Sequence, residues 1–330
     1  MFKKEIYSLL LFSFGLLFTC CGESATDDEE KDNNGQGSVS VETNYLPIAD
    51  PYVMFYNNKY YAYGTGGTTA GEGFACFSSD DLKTWKREGQ ALSATDSYGT
   101  WGFWAPEVYY VESKKKFYLF YSAEEHICVA TSTTPEGPFR QEVKQPIWSE
   151  KSIDTSLFID DDGTPYLYFV RFTDGNVIWV AQMTDDLMSI KTETLNQCIK
   201  AEVSWELLQG KVAEGPSLLK KNGVYYLIYS ANHYENKGYG VGYATSDTPM
   251  GPWVKYSKNP LLQGDAATGL VGTGHGAPFQ CKDGSWKYIF HAHWSAAEIQ
   301  PRTSYIKDFA ISDQGVVTIS GTVIKPRVLK

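Results

Sequence analysis

Short apolar and aromatic runs alternate with turn signals along most of the chain, and this pattern occurs five times. In each repeat a polar residue opens a short apolar run, a turn follows, and an aromatic run comes next. The fourth repeat, for example, runs from Glu214 through the Asn222-Gly223 turn to Ile228. Asn-Gly and Asp-Gly pairs between such runs are typical of β-hairpins. The pattern therefore predicts paired antiparallel strands in every repeat.

The spacing of the repeats predicts the architecture. Their opening polar residues lie 57, 47, 60 and 61 positions apart and are Asp50, Glu107, Asp154, Glu214 and His275. This period is typical of a four-stranded propeller blade with its loops, and so small a unit does not bury both faces of its sheet alone. We therefore predict an all-β, five-bladed β-propeller, with four-stranded antiparallel blades around a central channel. A β-sandwich is the alternative, but it leaves the five-fold repetition unexplained.

The composition agrees with a β-rich globular protein. Of the 330 residues, 42% are hydrophobic and 15% aromatic, and 30 Gly and 14 Pro supply many turns. Aromatic residues favour strands, whereas Gly and Pro mark the turns between them. The formal net charge is -10 and no basic stripe occurs, which argues against a nucleic-acid partner. We expect a monomer without an organic cofactor.

The first residues are typical of an export signal. Lys3 and Lys4 precede an apolar run over residues 6–18, which is too short to cross a bilayer as a helix but suits the core of a signal peptide. Two cysteines follow this run and resemble the lipidation site of a bacterial lipoprotein. Cys20 is preferred over Cys21 as the lipidated residue, and an ordinary cleaved signal is the alternative.

The sequence after the cysteines predicts a tether and then the folded body. Residues 24–40 are rich in acidic, Gly, Asn and Ser residues, which is typical of a flexible linker. The acidic run also resembles the surface-export signals of Bacteroides-type lipoproteins. We predict a lipoprotein signal peptide over 1–20, an acidic tether over 21–43 and the propeller over 44–330. The protein is expected to be exported to the outer membrane, at its periplasmic or cell-surface face.

The repetition is expected to bring polar residues together. In a propeller the innermost strand of every blade runs in the same direction along the channel, so the five opening residues should form a ring at the channel mouth. Four of the five are carboxylates, and like charges in close proximity cost stability. Some of them could instead act as local turn caps. A ring of this kind suits either cation binding or acid–base work on a glycosidic bond.

Aromatic residues close to this ring suit a sugar ligand, because aromatic rings stack on sugar faces. Trp101, Phe103 and Trp104 directly precede the Glu107 strand and are placed to line the pocket. Packing between blades is the alternative, and it must account for most of the aromatic residues. For Trp104, close to the channel, both interpretations stay open.

Five short motifs occur in order and at blade spacing. They are Ala49-Asp50-Pro51-Tyr52-Val53, Trp104-Ala105-Pro106-Glu107, Ile153-Asp154, Glu214-Gly215-Pro216-Ser217 and Gly274-His275-Gly276. Together they resemble the ordered motifs of glycoside hydrolase family 43 over roughly residues 45 to 310. The resemblance implies a five-bladed propeller that hydrolyses glycosides with inversion. It also implies arabinose- or xylose-containing plant polysaccharides or oligosaccharides as substrates, as in α-L-arabinofuranosidases, β-xylosidases and arabinanases.

The resemblance also implies roles for single residues. Asp50 matches the general base that activates water, and Glu214 matches the general acid that protonates the leaving oxygen. Asp154 matches the third carboxylate, which tunes the pKa of the acid and helps to orient it. Thr155 stands where Pro is commoner in the family, and we expect this change to alter local backbone stiffness alone.

Further residues are expected around the substrate. His275 matches a channel residue that lies beside a calcium ion in many members of the family, often through water. Arg302 falls where members place an Arg near the sugar and the carboxylates. Trp104 and Glu107 are predicted to contact the substrate.

Two other functions remain open at this point. Retaining fructan-type hydrolases share the five-bladed fold, but they usually carry Asn-Asp-Pro-Asn and Arg-Asp-Pro motifs, whereas this chain has Ala-Asp-Pro-Tyr at 49–52 and no Arg-Asp-Pro. A non-catalytic, surface-tethered glycan-binding propeller would not need an acid, so the presence of Glu214 argues against it.

Overall fold

Five antiparallel sheets follow one another along the chain and surround a central channel as the blades of a propeller. The computed structural model describes residues 44–66 and 72–329. The innermost strand of each blade contacts the innermost strands of both neighbouring blades, and the fifth contacts the first, so the ring is closed. The predicted all-β, five-bladed architecture is confirmed.

Apart from the outermost edge of blade one, each blade takes its strands from one continuous stretch of the chain. Blade one and its edge strand comprise β1 (Asn44–Tyr45), β2 (Ile48–Tyr56), β3 (Lys59–Gly66), β4 (Gly73–Ser79) and β5 (Thr84–Ser93). Blade two comprises β6 (Trp104–Val111), β7 (Lys116–Ala123) and β8 (His126–Ser132). Blade three comprises β9 (Ser152–Ile159), β10 (Pro165–Phe172), β11 (Asn176–Gln182) and β12 (Asn196–Lys200).

The second half of the chain continues in the same way. Blade four comprises β13 (Ala213–Lys221), β14 (Val224–Ala231), β15 (Gly240–Ser246) and β16 (Val254–Lys255). Blade five comprises β17 (Gly274–Gln280), β18 (Trp286–Ala292), β19 (Thr303–Ile311) and β20 (Val317–Ile324), and β21 (Arg327–Val328) follows it. Short 3-10 turns lie at Ala94–Asp96, Glu112–Lys114, Thr192–Thr194 and Ser204–Glu206. Within the described chain, none of these helical turns has the length or apolar character to cross a membrane.

The predicted export signal over residues 1–20 and the tether over 21–43 lie outside the described residues. The lipid anchor at Cys20 or Cys21 therefore stays a prediction.

Blade two departs from the predicted four strands and has three. After β8 the chain makes only single bridges, one from Arg140 to Thr131 of the same blade and one from Phe139 to Leu92 of blade one. The Phe139 side chain is fully buried beside blade one. The segment that would form a fourth strand is thus used to fill the space between the first two blades.

The two ends of the described chain meet at the outer edge of blade one. Strand β1 pairs with β21 in antiparallel fashion, and β21 pairs with β5 in parallel fashion. Blade one therefore becomes a six-stranded sheet that includes the strand following blade five.

The hydrophobic core consists of clusters between adjacent blades. Between blades one and two, Tyr63 and Phe74 pack with Phe103 and Tyr121. The Tyr63 hydroxyl also donates to the Pro135 carbonyl at 2.5 Å. Burying one such aromatic side chain contributes about 1.5–3 kcal/mol. Packing between blades thus accounts for many of the aromatic residues in the sequence.

The innermost strand of every blade contains a β-bulge at the channel mouth. In each blade two residues of the first strand lie opposite one residue of the second, as between Ala49 and Tyr52 of blade one. The first residue inside each bulge has a positive φ, and these residues are Asp50, Ala105, Asp154, Gly215 and His275. For residues other than Gly this backbone conformation costs about 1–3 kcal/mol and is common at functional sites.

The bulges correct the predicted ring. Asp50, Asp154 and His275 do occupy equivalent positions, but the other two blades place Ala105 and Gly215 there. Near-equal spacing along the chain groups residues of different register positions, because a β-bulge leaves no signal in the pattern of apolar residues. Glu214 lies one position before its bulge residue, and Glu107 lies two positions after its own.

Candidate active site

A cavity of about 280 Å³ opens at the mouth of the channel. It is lined by Asp50, Trp104, Ile153, Asp154, Asn176, Val212, Glu214, His233, Tyr234, His275 and Arg302. The structure therefore brings six of the seven predicted site residues to one cavity, from all five blades. Asn176, His233 and Tyr234 join them without having been predicted.

Asp50 is held as an anion mainly by the Arg302 guanidinium. Arg302 donates to both of its carboxylate oxygens, at 2.8 and 3.4 Å. The Nδ1 atoms of His275 and His291 lie 3.4 and 3.2 Å from Oδ1 of Asp50. Burial alone would raise the pKa of Asp50, but Arg302, followed by His275, holds this pKa well below its usual range. Asp50 is therefore ionised at neutral pH and able to accept a proton.

Glu214 lies in an environment of the opposite kind. Burial, followed by the nearby Asp154 carboxylate, raises the pKa of Glu214 to about 7. The Tyr239 hydroxyl donates to Oε1 at 2.7 Å, and the Asn176 amide donates to Oε2 at 2.9 Å. These two bonds and the charge of His275 oppose the rise. Glu214 is thus fixed at both oxygens and still holds a proton near neutral pH, as a general acid requires.

Asp154 lies beside the acid. Its Oδ2 accepts the backbone N–H of Gly215 at 3.3 Å and lies 3.9 Å from Nδ1 of His275. Burial, followed by repulsion from Asp50, raises the pKa of Asp154 to about 7. Asp154 thus interacts electrostatically with both Asp50, which is ionised, and Glu214, which is protonated near neutral pH.

Glu107 does not line the mouth. It faces a second, small cavity deeper in the channel, next to Tyr52 and Thr155. The Tyr109 hydroxyl donates to its carboxylate, and burial raises the pKa of Glu107 to about 8. Glu107 lies two positions beyond the bulge residue Ala105 and faces this second cavity, so the geometry does not support the predicted substrate contact.

Two aromatic residues form the rim on the side of blade two. Trp104 lines the cavity, and the Trp101 ring meets it edge-on with centroids 6.1 Å apart. Trp101 is 50% exposed. The loop that carries it is tied to Glu124, because Thr100 donates to the Glu124 carboxylate through both N–H and hydroxyl at 2.9 Å. An exposed indole therefore extends the cavity outward from a fixed loop.

Several residues that hold the site lie outside the innermost strands. His291 is fully buried in β18, and burial, followed by the charge of Arg302, lowers its pKa to about 3, so that it is neutral. Tyr234 packs against the Arg302 guanidinium, 4.5 Å from the ring centroid. The sequence gives one signal for His291, namely its position in an aromatic strand that follows a motif.

The described residues offer one group that suits a metal ion, formed by Asp154, Glu214 and His275 with ligand atoms within 4.8 Å of one another. Calcium takes six to eight oxygen ligands, so this group would supply only part of its coordination sphere and water the rest. Calcium beside His275 stays a prediction, and no step of the reaction is assigned to it.

Comparison with known proteins gives a family for this arrangement. Residues 46–317 match the family model described as glycosyl hydrolases family 43. The chain is 31% identical to the β-D-galactofuranosidase xynD of Aspergillus niger over 74% of both chains. It is 28% identical to an arabinoxylan arabinofuranohydrolase of Bacillus subtilis, over 74% of this chain and 55% of that one. A crystal structure of a thermostable family-43 glycoside hydrolase has 34% identity and a TM-score of 0.78, covering 86% of this chain and 97% of the other.

Proposed function

Because the chain belongs to glycosyl hydrolase family 43, and so is a glycoside hydrolase, we propose that it cleaves arabinose- or xylose-containing plant glycans with inversion. The observation that carries the mechanism is the difference in charge between two carboxyl groups of one cavity. Arg302 keeps Asp50 ionised, whereas burial keeps Glu214 protonated. Such a pair can act from opposite sides of a glycosidic bond.

In the proposed reaction, Asp50 takes a proton from a water molecule as that water attacks the anomeric carbon. Glu214 gives its proton to the glycosidic oxygen while the carbon–oxygen bond breaks, so the leaving group departs as a neutral alcohol. Asp154 maintains the proton on Glu214 by repulsion and holds the Gly215 amide next to the acid. Attack from the face opposite the leaving group gives a product of inverted configuration.

The cavity size supports removal of a terminal sugar. At about 280 Å³ it lies just below the usual range for ligand pockets, roughly 300–1,000 Å³, and so suits one sugar unit. We propose an exo-acting α-L-arabinofuranosidase or β-xylosidase. The similarity to a β-D-galactofuranosidase adds terminal galactofuranose as a second candidate sugar.

A release assay tests the proposal. Aryl α-L-arabinofuranosides, aryl β-xylosides and aryl β-D-galactofuranosides are compared with arabinan and arabinoxylan. We expect monosaccharide from at least one aryl glycoside, with NMR showing the inverted anomer in the first minutes. Longer oligosaccharides as first products would refute the exo mode, and a retained anomer would refute the assignment of Asp50 as base. Binding without release from every substrate would favour the non-catalytic alternative.

We also propose that the enzyme is a lipoprotein of the outer membrane, anchored at Cys20. Support comes from the charged start, the short apolar run and the cysteines that follow it. Cys20→Ser should release the protein from the membrane fraction, whereas Cys21→Ser should leave it there. The reverse result would move the anchor to Cys21, and wild-type protein found in the soluble fraction would favour an ordinary cleaved signal.

A further inference from the structure

The backbone amide of the first bulge residue is bonded in the same way in four blades. In each case it donates to a side chain on the second strand of the preceding blade. The pairs are Ala105 N to Thr65 Oγ1 at 2.9 Å, Asp154 N to Ser122 Oγ at 3.0 Å, His275 N to Ser230 Oγ at 2.8 Å, and Asp50 N to His291 Nδ1 at 3.1 Å. These hydrogen bonds link each bulge to the neighbouring blade.

The four acceptors share one register position. Each pairs across its own blade with the residue just before the bulge, as Ser122 pairs with Trp104 and Ser230 with Glu214. In blade three this position is Val170, which pairs with Ile153. Val170 is fully buried and has no side-chain acceptor.

The bulge amide that would meet Val170 belongs to Gly215, and it is bonded differently. It donates to Oδ2 of Asp154, at 3.3 Å. A buried amide needs a partner, and a carboxylate is a strong acceptor. The missing acceptor at position 170 therefore coincides with the one bulge whose amide contacts a carboxylate of the site.

We propose that Val170 is a positioning residue, which directs the Gly215 amide to Asp154 by offering no competing acceptor in blade three. This inference deepens the proposed function and rests on it. Gly215 directly follows Glu214, so the bond ties Asp154 to the backbone of the acid. A Cβ at position 215 would lie 3.0 Å from the His275 ring, so glycine leaves room for that ring.

Val170→Thr tests the proposal, because Thr has nearly the shape of Val and carries a hydroxyl in place of one methyl group. The Thr hydroxyl would stand where Ser122 and Ser230 have theirs and would capture the Gly215 amide. Val170→Ala is the matched control, since it removes volume but adds no acceptor. Val170→Ser is the second acceptor variant if Val170→Thr does not fold.

The readout is kcat on aryl glycosides with graded leaving groups. Asp154 assists proton donation by Glu214, so Val170→Thr should lower kcat roughly tenfold on poor leaving groups and leave good ones and KM nearly unchanged. Val170→Ala should have a lower melting temperature but the wild-type dependence on the leaving group. Equal dependence in the Thr and Ala variants, or no change in either, would overturn the proposal.

A structural readout separates this proposal from the proposed function. The ¹H shift of the Gly215 amide should change in Val170→Thr and stay close to the wild-type value in Val170→Ala. If the wild-type protein cleaves no glycoside but the Gly215 amide shift changes in Val170→Thr, the proposed function fails and the role of Val170 in directing this amide stands. If the enzyme is active and the shift is the same in all three proteins, the role of Val170 is refuted.

Discussion

Arg302 and Asp50 lie 252 positions apart in the chain, and the guanidinium donates to the carboxylate at 2.8 Å. One residue comes from the first blade and the other from the loop before β19 of the fifth. Their contact crosses the seam where the ring closes, so the ionisation of the proposed base depends on that closure.

Replacing Arg302 should change the acidic side of the pH–rate profile. Arg302 lowers the pKa of Asp50, so Arg302→Lys, which loses the forked contact, should raise this pKa. The base would then be protonated at higher pH, and the acid limb of kcat/KM should move upward. A profile that keeps its acid limb while activity falls would limit Arg302 to sugar binding.

Glu214→Gln should lower kcat on natural glycosides by roughly 10²–10⁴-fold, while the substrate still binds. The loss should be smallest for aryl glycosides whose leaving groups need no proton. Asp50→Asn is the contrasting control, because water activation is required for every substrate. Equal losses for Glu214→Gln across all leaving groups would contradict its role as acid.

Asp154→Asn should move the basic limb of the profile to lower pH. After burial, repulsion from Asp154 is the next cause that raises the pKa of Glu214 to about 7. Without this charge the acid loses its proton earlier as pH rises, and the limb should shift by up to roughly one pH unit. An unmoved basic limb would remove Asp154 from its assigned role.

Tyr239→Phe should shift the same limb in the opposite direction. The Tyr239 hydroxyl donates to Glu214 at 2.7 Å and so favours the ionised acid. Removing this bond should raise the pKa of Glu214, and activity should persist to higher pH, with a lower kcat because Oε1 is no longer held. The two variants together give opposite shifts that a general loss of stability cannot produce.

Trp101→Ala should distinguish polymers from small substrates. The indole is half exposed at the rim and does not line the cavity itself. We expect kcat/KM to fall roughly tenfold on arabinoxylan or arabinan oligosaccharides, from lost stacking on the second sugar, with little change on aryl glycosides. Trp286, exposed elsewhere on blade five, supplies the control Trp286→Ala, which should leave both substrate classes unchanged.

The sequence predicted the blades because hydrophobic periodicity and turn pairs are local. The repeat spacing then placed Asp50, Asp154 and His275 correctly, since all three are bulge residues at equivalent positions. It failed for Glu107, because a bulge of one residue shifts a side chain to another depth in the channel without changing the pattern of apolar residues.

Other parts of the site depend on contacts between segments far apart in the chain, which no local pattern encodes. Tyr239 and Asn176 reach Glu214 from positions 25 and 38 residues away, one on each side of it in the chain. The position of His291 in an aromatic strand after a motif singles it out, but its place beside Asp50 follows from the register of β17 and β18, in which its partner Gly274 precedes the bulge at His275.

The pairing of β1 with β21 at the edge of blade one means that the two strands ending the described fold are hydrogen-bonded neighbours. A short linker could therefore join them, and new termini could be opened at the exposed turn of Asp161 and Asp162 between β9 and β10. Such a circular permutant would keep every channel-lining strand intact. The position of the chain termini can thus be changed without altering the strands that carry the active site.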